Sequence, residues 1–323
     1  MVRFLFILIT ALTSFSFTID ACTSALVGSK KSATGHAILW KHRDSGFAQN
    51  FIERVESTDS TMAYIALFNG GDSLLREAWM GVNESSFAIM NTASYNLAPD
   101  TARLKDREGI IMTAALRTCR SVEDFARMLD TLPKPLGVQA NFGVIDSTGA
   151  GAFFETSDHG YYRENLSSDS LIIRTNFSCS GTCGEGLGRV RYANAQHLFD
   201  GKAITPRFLT DTISRSFYCA TLKCNVLTDT NISEVEDKGE FIPRRSTSAS
   251  IAIEIGKEPK LYVILGYPPL STASEVTFEN IPTEMRPTLP GAISPLSDRN
   301  VKLRNQLFRR KNGKYYLDLT KLR

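Results

Sequence analysis

Hydrophobic and polar residues alternate from Cys22 onward, after an apolar leader. CTSALVGS begins at Cys22, the turn-rich KKSATG follows, and HAILWKHRD alternates again as far as Asp44. A period of two is typical of β-strands, and a short polar turn between two such runs predicts a hairpin. The first predicted strand therefore begins at Cys22.

Similar patterns continue along the chain. Strand-like runs are MAYIALF, EAWMGVN, SFAIMNTAS and SLIIRTNFS, and two more hairpins are predicted in ANFGVIDSTGAGAFFET and SASIAIEIGKEPKLYVILGY. Helical runs are DREGIIMTAALRTC, SVEDFARMLDTL, LGRVRYANAQHLF and TPRFLTDTISRSFY, and Ser121 with Asp124 forms a capping-box pattern. Hairpins interleaved with helices predict an α+β domain in which helices cover antiparallel sheets.

The chain divides into three predicted parts. Residues 1–21 carry one early charge, Arg3, then an apolar run ending in Ala21, which is the layout of a signal peptide. Residues 22–290 show no repeat or linker and are predicted to form one domain. Residues 291–323 are predicted to be a basic, partly ordered tail. We expect a secreted or periplasmic protein that does not insert into a membrane after cleavage.

Composition excludes several classes of protein. The net charge of +3 is too small to indicate a nucleic-acid partner. The four histidines, His36, His42, His159 and His197, have no metal-ligand spacing. No glycine-rich phosphate loop lies between a strand and a helix. We therefore expect neither a metal nor an organic cofactor.

Six cysteines are compatible with secretion. Cys179 lies close to Cys183, and Cys219 lies close to Cys224, so each pair is predicted to form a short disulfide. A zinc site built from these four residues is the alternative, but no histidine stands at ligand spacing beside them.

Two cysteines remain. Cys119 lies in an apolar pattern and is predicted to be a buried thiol. Cys22 follows the predicted cleavage point, where a cysteine is either a lipid attachment site or a new amino-terminal residue. Asp20 and the strand that starts directly at Cys22 favour the second alternative, because lipoprotein cysteines more often precede a flexible tether.

An amino-terminal cysteine carries its own catalytic base. An α-amine has a pKa near 7.7–8.0 and a thiol one near 8.5, so both exchange protons at neutral pH. The amine of a terminal residue is able to activate the side chain of that residue as a nucleophile. The thiolate would attack an acyl carbon and form a thioester, which water hydrolyses.

Such chemistry needs a carboxylate, a cation and amide donors near the thiol. WKHRD places Lys41, Arg43 and Asp44 at the end of the strand paired with the first one. Asn91 and Asn176 stand at the ends of two further predicted strands.

These residues resemble the N-terminal nucleophile hydrolases that cleave linear amides, a group with choloylglycine hydrolases, penicillin V acylases and isopenicillin-N acyltransferase relatives. The similarity runs through CTSALVG, TGHAILWKHRD, GVNESSFAIMNTAS, IIRTNFS and GRVRYANA. It implies a four-layer αββα sandwich of antiparallel sheets. It also implies site residues: Cys22 as the nucleophile, Asp44 as the carboxylate at the α-amine, Asn91 and Asn176 as amides for oxyanion or substrate, and Arg191 as a late arginine.

The chain departs from that pattern at several positions. Lys41 stands where the bile-salt branch has arginine, with Arg43 beside the aspartate, so either residue could supply the cation. We expect Lys41 to be catalytic, and Arg43 with Asn91 to bind substrate. Ser86 replaces a usual glycine, and Gly188 stands where serine is common.

The sequence therefore predicts a hydrolase of a small linear non-peptide amide, such as an N-acyl amino acid. An acyltransferase that uses the same thioester is one alternative, and a lipid-anchored, non-catalytic binding protein is another. Asn176 also heads an N-x-S sequon, as do Asn83, Asn165 and Asn231, and glycosylation there would exclude a pocket role. Oligomeric state does not follow from the sequence.

Overall fold

The computed structural model describes residues 21–98 and 103–323. The predicted signal peptide therefore lies outside the described residues, apart from Ala21. None of the helices in those two ranges is long and apolar enough to cross a membrane. The same ranges contain no group of three or more His, Cys, Asp or Glu residues arranged to hold a metal ion.

Strands dominate the described chain. In chain order they are β1 Thr23–Val27, β2 Ala37–Asp44, β3 Asn50–Val55, β4 Tyr64–Asn69, β5 Met80–Asn83, β6 Ala88–Ala93, β7 Ala140–Ile145, β8 Gly151–Thr156, β9 Tyr161–Leu166, β10 Leu171–Arg174, β11 Tyr218–Cys219, β12 Cys224–Asn225, β13 Glu234–Glu236, β14 Thr247–Ile255, β15 Lys260–Leu265, β16 Ser274–Val276, β17 Phe308–Lys311 and β18 Lys314–Asp318. The α-helices are α1 Glu108–Thr118, α2 Val122–Thr131, α3 Arg189–Phe199 and α4 Pro295–Asn305.

Two antiparallel sheets form the centre of the fold. One has six strands in the order β10-β1-β2-β14-β15-β16, and the other has seven in the order β3-β4-β5-β6-β7-β8-β9. The predicted hairpin that starts at the cysteine is confirmed, since β1 pairs antiparallel with β2 and Thr23 lies opposite His42. Strand β1 also pairs with β10, so it lies inside its sheet.

The sheets face each other across an apolar layer that contains Leu26, Leu39 and Ile65. Helices α1 and α2 cover the outer face of the seven-stranded sheet. Helix α3 covers the outer face of the other sheet, where Phe199 packs edge-on against Trp40. The four-layer αββα sandwich of antiparallel sheets is thus confirmed.

Burial on both faces explains why some strands read as nearly continuous apolar runs. Every residue of β2 and of β14 is buried. A sheet covered on both sides has no solvent-facing row, so the period of two weakens.

Helix α2 begins as its sequence predicts. The Ser121 side chain accepts a hydrogen bond from the Asp124 backbone, and the Asp124 side chain accepts one from the Ser121 backbone. A reciprocal cap of this kind satisfies two backbone N–H groups that have no partner inside the helix. The run from residue 205 to 218 is less regular, with a π-helical turn over Phe208–Thr212 and a 3₁₀ turn over Ile213–Arg215.

The predicted disulfides are absent, and that prediction was wrong. None of the six cysteines, all of which lie in the described ranges, forms a disulfide. Cys219 and Cys224 lie directly opposite each other in β11 and β12, but the Cys219 sulfur contacts the Thr221 hydroxyl at 3.0 Å. Cys179 and Cys183 are exposed thiols on a loop. Cys119 is buried as predicted, and burial raises its pKa to about 12.

Residues 291–323, predicted to be a basic, partly ordered tail, contain helix α4 and strands β17 and β18. Strands β17 and β18 join β13 in a three-stranded sheet. Leu317 and Leu319 are buried in an apolar cluster with Phe217 and Tyr267. The basic residues of the segment are mostly exposed, whereas Val301, Leu307, Leu317 and Leu319 are buried.

Truncation of Leu317 should therefore destabilise the whole domain. We expect Leu317→Ala to lower the free energy of unfolding by about 2–5 kcal/mol, because the change removes a buried side chain and leaves a cavity. Leu303→Ala, on the exposed side of α4, is the control and should change it by less than about 0.5 kcal/mol. Urea unfolding measures both. Equal, small effects would contradict the packing of this segment.

Candidate active site

Cys22 lies directly before β1, at one end of the six-stranded sheet. It is 5% exposed, and its thiol donates to the main-chain carbonyl of Asp44 with a sulfur–oxygen distance of 3.8 Å. Ala21 still precedes it here and is also buried. Because β1 is paired on both sides, the position of this thiol is set by two neighbouring strands.

The Asp44 carboxylate is buried and held at both oxygens. Arg244 Nε donates to Oδ2 at 2.7 Å, and Thr247 Oγ1 donates to Oδ1 at 2.6 Å. Arg244 Nη2 also donates to the carbonyl oxygen of Ala21 at 2.7 Å. The predicted carboxylate thus lies close to the residue that is predicted to be the nucleophile.

His42 lies beside this carboxylate on the same strand. Its Nε2 is 3.1 Å from Thr247 Oγ1 and 3.7 Å from Asp44 Oδ1. Burial lowers the pKa of His42 to about 4, although Asp44 acts in the opposite direction. The Thr247 hydroxyl gives its proton to Asp44 and accepts from the Arg244 backbone, so it is also an acceptor for a neutral imidazole protonated at Nε2.

Arg191 links the start of β1 to the strand end at Asn176. Its Nη1 donates to the Cys22 carbonyl oxygen at 2.6 Å, and its Nη2 donates to Asn176 Oδ1 at 2.8 Å. Burial, followed by the charge of Arg244, lowers the pKa of Arg191 to about 9. Arg191 therefore contacts the backbone of Cys22.

Asn176 is brought to the site but occupies a supporting place. It is fully buried, and its Nδ2 donates to the Ala93 carbonyl oxygen at 2.9 Å. It is not among the described residues that line the pocket. Complete burial also leaves no room for a glycan at this sequon, whereas Asn165 and Asn231 are exposed.

Lys41 and Asn91 meet between the two sheets. Lys41 Nζ donates to Asn91 Oδ1 at 2.7 Å and to the Trp79 carbonyl oxygen at 2.9 Å. Strand β2 supplies the lysine, and β6 of the opposite sheet supplies the asparagine. Because Lys41 binds the amide oxygen of Asn91, it fixes the orientation of the Asn91 amide group. The Asn91 side-chain nitrogen therefore points away from Lys41.

Arg43 points into the same layer as Lys41, two residues along β2. Its guanidinium donates to Asn50 Oδ1 at 2.6 Å and to Asn69 Oδ1 at 2.8 Å, and it lies 5.0 Å from the centre of the Trp79 ring. Arg43 is thereby anchored to the edge of the opposite sheet.

A pocket of about 670 Å³ opens above these side chains. It is lined, among others, by Cys22, Lys41, Arg43, Asp44, Trp79 and Asn91. Its lining also includes Glu77, Lys105, Asp106 and Glu108, so the pocket is of mixed charge and not simply cationic. Burial, then the nearby charges of Asp72 and Asp106, raises the pKa of Glu77. The volume suits a small molecule.

Arg244 and Thr247 were missed by the sequence analysis. They stand in FIPRRSTSAS, directly before and at the start of β14. Arg244 lies 200 residues from Asp44, and no local pattern links such distant positions. The only available signal was a pair of arginines before a strand that neighbours β2.

Comparison with known proteins gave matches of fold only. No protein-family model matches the sequence, and no curated protein matches it. The described fold is similar to the Caenorhabditis elegans ortholog of N-acylethanolamine-hydrolyzing acid amidase, with 13% identity, a TM-score of 0.47, and 73% of this chain and 93% of that chain covered.

Two bacterial structures are similar to the chain as well. A variant of conjugated bile acid hydrolase from Clostridium perfringens has 10% identity and a TM-score of 0.46, and the match covers 80% of this chain and 93% of that chain. Penicillin V acylase from Agrobacterium tumefaciens has 12% identity and a TM-score of 0.44, with 80% and 87% covered.

The buried histidine should make stability depend on pH. Below pH 6.5 the unfolded chain protonates His42, whereas the folded chain does so only near pH 4. The unfolded state then binds more protons, so the free energy of unfolding falls as pH falls, by about 3 kcal/mol over this window. His42→Gln should flatten this slope, and exposed His36→Gln should not. Urea unfolding between pH 7 and 4 measures it, and an unchanged slope in His42→Gln would contradict the assignment.

Proposed function

We propose that this protein is a secreted amidase whose mature chain begins at Cys22 and which hydrolyses a small linear non-peptide amide. One observation carries the proposal. The Cys22 thiol lies at the floor of the pocket, at the junction with Ala21, and a buried carboxylate held at both oxygens lies beside it. The sequence resemblance supports the same reaction class.

The proposed reaction needs only the chain, its amide substrate and one water molecule. The α-amine of Cys22 accepts the thiol proton while the sulfur attacks the acyl carbon. The tetrahedral intermediate collapses, its C–N bond breaks, and the leaving amine takes that proton. Water then attacks the thioester while the α-amine of Cys22 accepts a proton from it. The C–S bond breaks, that proton passes to the sulfur, and the carboxylic acid leaves as the thiol is regenerated.

The contacts support the remaining proposed roles to different degrees. Asn91 lines the pocket and has its amide oriented by Lys41, so we assign it to the oxyanion or the substrate carbonyl. Arg43 lines the pocket and contributes positive charge for substrate binding. Arg191 binds the Cys22 carbonyl oxygen and Asn176 accepts a hydrogen bond from Arg191, so we assign both residues to support.

Burial of Cys22 supports a nucleophile over a lipid anchor. A lipidated cysteine carries its diacylglycerol on the sulfur, whereas this cysteine is buried and lines a pocket with several charged side chains. Residues 23–27 enter a paired strand at once, so there is no tether between the cysteine and the domain.

Amino-terminal sequencing and intact mass of the secreted protein test the processing step. We expect the chain to begin at Cys22 with an unmodified amine. A mature chain that begins elsewhere, or a mass increased by a diacylglycerol, would rule out the proposed mechanism. Product analysis with an added amine acceptor distinguishes hydrolysis from acyl transfer.

Cys22→Ser should lose nearly all turnover of an N-acyl amide, by a factor of at least about 10³, while the protein folds normally. Asp44→Asn should lose much of it, because the amine is no longer oriented by a carboxylate. Turnover is measured on a panel of N-acyl amino acids and fluorogenic N-acyl amides. Cys183→Ser, which changes an exposed thiol, is the control and should keep the wild-type rate. Near-normal rates in both site variants would refute the assignment.

Asn91→Asp tests the amide donor and spares the lysine contact. The aspartate retains an acceptor for Lys41 but has no N–H to give to an oxyanion. We expect kcat to fall by about 10²–10³ with a much smaller change in KM. Asn91→Ala should lose a similar factor. If Asn91→Asp turned over like the wild type, the oxyanion would have to be stabilised elsewhere.

A further inference from the structure

Arg244 joins the two sides of the cleavage junction. Its side chain is 11% exposed, and its Nε and Nη2 each donate at 2.7 Å, to the Asp44 carboxylate and to the Ala21 carbonyl oxygen respectively. The same guanidinium therefore contacts the carboxylate proposed to orient the α-amine and the peptide group from which that amine is released.

The turn that carries Arg244 is closed in both directions. The Thr247 backbone N–H donates to the Arg244 carbonyl oxygen at 2.9 Å, and the Arg244 backbone N–H donates to Thr247 Oγ1 at 3.0 Å. Arg304 of α4 donates to the Thr247 carbonyl oxygen at 3.1 Å. One rigid turn thus delivers a charged donor and a neutral donor to the two oxygens of Asp44.

We propose that Arg244 is a positioning residue that keeps the α-amine of the mature Cys22 in its neutral, basic form. This inference rests on the proposed function. A carboxylate alone beside an amine favours the ammonium form, which has no lone pair to accept the thiol proton. The guanidinium of Arg244 offsets the negative charge of Asp44 and adds positive charge near the amine, and both effects lower the pKa of the amine. Asp44 is then able to orient the amine by a hydrogen bond without keeping it protonated.

Other charges act on the same junction from every element packed against it. Strand β2 carries Lys41, His42 and Asp44, and the loop after β6 carries Tyr95. Helix α3 carries Arg191, and the segment before β14 carries Asp237 and Arg244. Arg244 differs from the other cations because it hydrogen-bonds to the carboxylate itself and to the peptide carbonyl at the junction. Arg191 instead contacts the carbonyl on the far side of Cys22.

The pH profile of kcat/KM separates this role from a merely structural one. The variants are Arg244→Gln, Arg244→Lys, Thr247→Val and Arg245→Gln, all made in the secreted full-length protein, with the amino terminus of each verified by intact mass. Arg245 stacks on Tyr315 with its guanidinium 4.0 Å from the ring centre and is a matched control outside the site.

We expect Arg244→Gln to lower kcat/KM at pH 7 by about 10²-fold. The acidic limb of the kcat/KM profile of Arg244→Gln should move to higher pH by about one pH unit or more, so that its activity recovers partly at alkaline pH. Arg244→Lys keeps the charge and should keep the limb in place with an intermediate rate. Thr247→Val removes an uncharged donor and should lower the rate without moving the limb. Arg245→Gln should behave like the wild type.

An Arg244→Gln profile with an unmoved acidic limb, whatever its rate, would overturn the inference. If Arg244→Gln fails to fold, Arg244→Lys and Thr247→Val still test the inference. An acidic limb that moves equally far in both variants would show that the charge of Arg244 does not set the pKa of the amine, and would overturn the inference. A wild-type protein that begins at Cys22 and has no turnover would instead refute the proposed function.

Discussion

The structure depends on the burial of one carboxylate, that of Asp44, beside a thiol. A carboxylate removed from water is costly unless charged and neutral donors replace its hydration. Arg244 and Thr247 supply those donors from one turn. Loss of one partner of a buried ion pair typically costs about 3–5 kcal/mol, so the turn matters for stability as well as for chemistry.

The double sheet explains how polar groups converge inside an apolar sandwich. Apolar side chains fill the layer between the sheets, but at the end of β2 they give way to Lys41 and Arg43. The opposite sheet supplies the acceptors for these two cations, which are the amide oxygens of Asn91, Asn50 and Asn69. Each buried cation is therefore satisfied by neutral acceptors across the interface, and the pocket forms where the apolar layer ends.

The carboxyl-terminal segment supports this end of the sandwich. Arg304 binds the carbonyl of Thr247, and the Ser297 hydroxyl accepts from the Asn50 backbone. The segment is basic in composition, but buried apolar residues such as Leu317 and Leu319 dock it on the domain. Close spacing of cysteines in sequence permits a disulfide but does not require one, and neither predicted pair forms one.

Sequence alone determined the local elements and the nucleophile candidate. Alternation, turn residues and caps act over a few residues, so the hairpin at Cys22 and the capped helix at Ser121 were predictable. Resemblance along the chain added the order of layers and the group of Cys22, Asp44 and Asn91. Only the tertiary structure decided which distant side chains hold that group. Arg244 and Asp44 have no sequence relation that reveals contact, because strand β14 pairs with β2 only when the whole six-stranded sheet has formed.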